Sequence, residues 1–134
     1  MSYIDCFMAP VPRANMAAYE ALARLSAKVV KEYGALSVME CWIDEAGPDA
    51  QTYHGTETRQ SQVEYPSFVT AAGAGPDDTV VISYVAWPDK ATRDTGMEKL
   101  TSDPRMQFGG QAPVFDGKRL TAAGFRPIPG LDEA

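Results

Sequence analysis

The run from Thr79 to Trp87 is apolar at almost every position (Val80, Val81, Ile82, Tyr84, Val85, Ala86), and Pro88 closes it. Consecutive β-branched and aromatic side chains make a strand that avoids water on both faces. The run from Tyr3 to Val11 has the same character, with Ile4, Cys6 and Met8 on one side and Tyr3 and Phe7 on the other. An antiparallel sheet with one wet face alternates apolar and polar residues. These strands do not alternate, so the fold has to cover both faces of its sheet.

The remaining elements supply cover for one face. Asn15 is a suitable N-cap, and Tyr19, Leu22, Ala23, Ser26, Val29, Val30 and Tyr33 recur at helical spacing, with Gly34 as the terminator. Leu36 to Ile43 reads as a second strand that runs out into the Asp44–Asp49 turn cluster. From Ala50 to Val63 the chain is polar without a period, a long connection of the kind found in excursions and flaps. Tyr65 to Ala72 is expected as a short strand. Asp89 caps a second helix through Lys90, Arg93, Met97 and Leu100, and Asp103-Pro104 begins a further helical turn. Asp116-Gly117 turns the chain into a last strand from Arg119 to Phe125.

The order β, α, β, long connection, β, α, β predicts an α+β fold: a ferredoxin-like βαββαβ sandwich, a four-stranded antiparallel sheet with two helices on one face. Residues 1–126 form this single domain, the long connection falls at about 46–79, and 127–134 is a C-terminal tail. The sheet's other face then requires a second copy, so the expected assembly is a homodimer closed as an α/β barrel. A bare apolar sheet is a large exposed patch, and its burial contributes about 25 cal/mol per Å².

Charge narrows the partners. Twelve Lys plus Arg against eighteen Asp plus Glu give a net charge of −6, which argues against binding a nucleic-acid backbone or an anionic membrane surface. No segment approaches ~18 consecutive apolar residues, and the start of the chain has an acid at Asp5 where a signal peptide has a basic start and an apolar run. A cytoplasmic location is expected, with Cys6 and Cys41 as buried free thiols.

Several stretches occur in an order that resembles a known family: Gly34-Ala35-Leu36, Glu40-Cys41-Trp42, Trp87-Pro88, Ser102-Asp103-Pro104-Arg105-Met106 and Phe115-Asp116-Gly117-Lys118-Arg119. Together they resemble the YbaA-like family of small bacterial proteins of unknown function, from Tyr3 to Phe125. The chain departs from that pattern in extra residues around Gln51 to Glu64. The resemblance implies membership of the dimeric α/β-barrel superfamily, and brings no established catalytic residues.

Asp5, Glu40 and Arg119 are charges within otherwise apolar runs, and a buried charge without a partner costs several kcal/mol. One reading makes them a structural ion pair, Asp5 with Arg119 across adjacent strands, or a solvated barrel rim. The other makes Glu40 or Asp5 a desolvated general base toward a bound small molecule. Tyr3, Phe7, Trp42 and Trp87, with Tyr84, either fill the core or line an apolar pocket that Arg119 helps to close. His54 sits in the polar connection, where a surface position is expected rather than a metal or haem site. Arg105 is expected in helix-start chemistry, with reach to a ligand carboxylate or the other protomer as the alternative. No cofactor is expected. Two functions remain open: a barrel that binds a small apolar or aromatic molecule, with oxygenase or isomerase activity free of cofactor implied by the superfamily resemblance, or a non-catalytic, structural or stress-related dimer with a packed core.

Overall fold

A computed structural model describes residues 2–55 and 65–131 of the chain. The elements are β1 (Tyr3–Pro12), α1 (Met16–Glu32), β2 (Ser37–Trp42), α2 (Phe68–Ala71), β3 (Asp78–Trp87), α3 (Lys90–Ser102) and β4 (Thr121–Phe125). The four strands form one antiparallel sheet in the order β2-β3-β1-β4. The fold class is α+β, and the first strand lies between the third and the fourth.

Local chemistry explains the boundaries. Gly34, at φ 113°, takes the left-handed conformation that ends α1. The Asp89 carboxylate accepts the Thr92 N–H to start α3, and Asp103 accepts the Arg105 N–H over the turn Pro104–Met106. Asn15 precedes α1 as expected, but its side chain does not cap. Its amide donates to the Val114 carbonyl at 2.8 Å, which ties the start of the helix to the loop before β4.

Two expected strands change. Tyr65 to Ala72 holds the short helix α2, because Ser67 accepts the Thr70 N–H and winds the chain. The last strand begins at Thr121, not Arg119, since Asp116 accepts the Lys118 N–H and coils Gly117–Arg119 into a 3-10 turn. Asp49 likewise caps a 3-10 turn at Ala50–Tyr53. The rest of the polar connection, 56–64, lies outside the described residues, as does most of the stretch read as extra.

Strand pairing divides the side chains cleanly. Opposed pairs Asp5↔Val85, Phe7↔Ser83, Ala9↔Val81, Val38↔Val85 and Trp42↔Val81 place these residues on the helix-covered face. There Val30 of α1 and Met97 and Leu100 of α3 pack with Val85, Trp87, Tyr3 and Phe7. A second cluster, Ala9, Val11, Tyr19 and Val81 with Trp42 and Phe115, fills the other end. The opposite face carries Cys6, Met8, Met39, Cys41, Ile82, Tyr84, Ala123 and Phe125, and Phe68 of α2 lies near its margin. Met39, Ile82 and Phe125 are 49%, 42% and 52% exposed. Cys6 and Cys41 are free thiols but half-buried on this face, not buried as expected.

Candidate functional site

Three opposed residues form one row across the sheet: Glu40 on β2 faces Ser83 on β3, which faces Phe7 on β1. The rows on either side are apolar or closed by partners, and the two core clusters lie beyond them. Between the clusters the helices stand off the sheet and leave a cavity of about 290 Å³. Phe7, Leu22, Val38, Val85 and Leu100 wall it, and Phe108 and Phe115 from the loop before β4 lie across it.

Glu40 is the carboxylate in this wall. The Tyr19 hydroxyl donates to its Oε1 at 2.8 Å, and the Ser83 hydroxyl stands opposite on the facing strand, where it favours the charged form. Burial in apolar surroundings pushes the Glu40 carboxyl above its ordinary value, against the pull of those two hydroxyls. Burial, with the carboxylate beside it, also raises the Tyr19 phenol, so Tyr19 stays a neutral donor. A separate cleft of about 300 Å³, holding Glu20, Arg24 and Trp42, reaches Glu40 from its other side. A carboxyl held between an apolar chamber and a polar cleft can take a proton from a bound molecule and pass it outward.

The other expected site residues are placed as follows. Asp5 is buried and satisfied: Trp87 donates its indole N–H at 3.0 Å and Arg93 its Nε–H at 3.0 Å. The expected Asp5–Arg119 pair does not form. Arg119 sits in the turn ahead of β4, where its guanidinium donates to Asp78 at 2.9 Å and to the Gly73 carbonyl, so it is a latch and not part of the cavity. Tyr3 and Trp87 pack in the core beside α3, with Trp87 fully buried. Trp42 packs at a tilt against Tyr19 with ring centres 5.2 Å apart and donates to Glu20 at 2.9 Å. Of the expected aromatic set, Phe7 alone lines the chamber with Glu40, and Tyr84 faces the opposite side. His54 is exposed and stacks on Tyr65 at 4.1 Å. Arg105 folds back onto the buried Asp103 at 2.9 Å and onto the exposed Glu32 at 2.8 Å.

Tyr19, Ser83 and Arg93 were not read as site or partner residues in the sequence. Ser83 had a signal, as the one polar residue inside the Val80–Trp87 run. Tyr19 had none, because it falls in the apolar helical stripe. Among the described residues, no three His, Cys, Asp or Glu side chains are grouped to hold a metal ion, and no helix is long and apolar enough to cross a membrane.

Residues 2–117 match the model of a family described as "Protein of unknown function (DUF1428)". The chain belongs to the DUF1428 family. The "Uncharacterized protein YbaA" of Escherichia coli strain K12 is 35% identical over 133 residues, covering 99% of this chain and 100% of YbaA. YbaA of Shigella flexneri matches to the same extent. The family resemblance carried by the sequence motifs is therefore shown. The DUF1428 match takes in Tyr19, Glu40, Ser83 and both cavity-crossing phenylalanines, and ends before β4.

Proposed function

We propose that this DUF1428 protein binds a small, largely apolar molecule in the chamber between sheet and helices, and that Glu40 exchanges a proton with it. The observation that carries this reading is a half-buried carboxyl, held by Tyr19 at 2.8 Å, in the wall of an apolar cavity of about 290 Å³. An engineered apolar cavity of roughly 150 Å³ already takes benzene, so a bicyclic molecule is within range. Isomerase and cofactor-free oxygenase chemistry, the activities implied by the superfamily resemblance, both begin when a base removes a proton from the bound molecule. A desolvated carboxylate is a stronger base than one in water. The chamber favours this over the packed-core, non-catalytic alternative.

The test uses 6-hydroxy-2-tetralone, a bicyclic ketone with enolisable C–H bonds and a phenol hydroxyl, in D2O. Wild-type protein is expected to speed deuterium uptake at those carbons, and Glu40→Gln to lose roughly 100-fold of that rate. Equal rates for both proteins refute the base.

The assembly proposed for it is a homodimer of ferredoxin-like protomers joined as an α/β barrel. Support comes from the sheet face away from the helices, where Met39, Ile82 and Phe125 are exposed and the described lining residues carry no charge. A second copy offers that same uncharged surface, whereas the acidic exterior of a typical soluble partner does not.

A further inference from the structure

From the chemistry of the chamber wall we infer the class of molecule it admits: a neutral compound of about two rings that brings its own hydrogen-bond donor, such as a hydroxyaromatic, with carboxylates and other anions excluded. The inference rests on the cavity-binding function proposed above.

At the Glu40 end the carboxylate is an acceptor toward the chamber. Tyr19 donates its proton to Glu40, and Ser83 stands opposite the same side chain across β2 and β3. Their oxygens and those of Glu40 are left with lone pairs. Among the described lining residues there is no Lys, Arg or His to receive a negative charge. Beyond Glu40, the guanidinium of Arg24 lies in the polar cleft and is held by Glu20 at 3.3 Å, so the nearer field is that of two carboxylates. An anion therefore enters only with uptake of a proton by Glu40 or by itself. A cation would pair with Glu40, but it must leave water for walls made by Phe7, Val38, Val85 and Leu100, a desolvation cost that such a pair seldom recovers. A neutral donor satisfies the acceptors and keeps its apolar body in apolar surroundings. The remaining rim residues, Ser26 and Met97 among them, add no charge.

The experiment compares 2-naphthol, 2-naphthoate and 2-naphthylmethylammonium at pH 7.5 by calorimetry, on wild type and Glu40→Gln. In wild type, naphthol is expected to bind at least about tenfold more tightly than either ion. In Glu40→Gln the gap to naphthoate should close to within about threefold, because an amide can donate to a carboxylate. Naphthoate or the ammonium binding as tightly as naphthol in wild type, or a gap that survives the substitution, overturns the inference while the cavity-binding function stands. If none of the three binds and 6-hydroxy-2-tetralone does not either, the cavity-binding function itself fails and takes the inference with it.

Discussion

Glu40 and Ser83 oppose each other across β2 and β3 in the one row of the sheet where two facing polar residues look toward the helices without an ion-pair partner. The cost of that placement falls on the Glu40 charge. Its proton is held more tightly in the folded state than in the unfolded chain, whose value lies near the ordinary 4.5. The stabilising contribution is therefore complete below that value and is lost as pH rises through the higher folded one. Glu40→Gln, which mimics the protonated form, should match wild type in urea midpoint at pH 4 and exceed it by pH 8. Parallel pH profiles for the two proteins would contradict this.

Asp5, on the same face of the sheet, has the ion-pair partner that Glu40 lacks. Its carboxylate is 3% exposed and receives the Trp87 indole and the Arg93 guanidinium. Asp5→Ala removes the acceptor, leaves the buried Trp87 indole N–H unmet and strips the half-buried Arg93 of its partner, at a cost of about 2–3 kcal/mol. Chemical denaturation measures the loss, and Trp87 emission should report it through altered surroundings. A loss under about 1 kcal/mol would mean that the pair is not structural.

Gly96 lies on α3 against Trp87. A Cβ there would stand 2.5 Å and 2.6 Å from Trp87 ring carbons and 2.9 Å from the Tyr33 carbonyl oxygen. Alanine improves helix propensity by about 1 kcal/mol, but overpacking a buried indole costs about 1–3 kcal/mol. Packing wins, so Gly96→Ala should lower stability by up to about 2 kcal/mol in thermal or urea unfolding. A stabilised Gly96→Ala would show that α3 moves away from the sheet without penalty.

The sheet face away from the helices makes a separate prediction. Wild-type protein should sediment at about twice the 14.5 kDa protomer mass, and Ile82→Glu should sediment as a protomer that keeps its secondary structure. Ile82 is already 42% exposed in the single chain, so a charge there costs little within one protomer. A wild type that stays at protomer mass at micromolar concentration would refute the pairing.

How far the sequence spoke depends on the range of each interaction. β1, α1, β3 and α3 were legible because periodicity and caps such as Asp89 act over a few residues. Tyr65–Ala72 was misread since one hydroxyl, Ser67, outweighed a weak strand pattern. Glu40 stood out as a charge in an apolar run, but its partner Tyr19 comes 21 residues earlier in a different element. Asp5 and Arg93 are 88 residues apart, and nothing local distinguishes Arg93 from Arg119 as the cation it needs. Residues that act through long-range contacts carry no local pattern to read.

The interior is divided, with one apolar cluster around Trp87 and Val30, another around Val11 and Tyr19, and the chamber between them. Whatever occupies that gap becomes a keystone joining two half-arches. Without it, each half has room to breathe on its own, and amide exchange should be uneven along α1. Once it is seated, helix and sheet should stiffen as a single span, so the guest would be felt as much in the architecture's cooperativity as in any reaction.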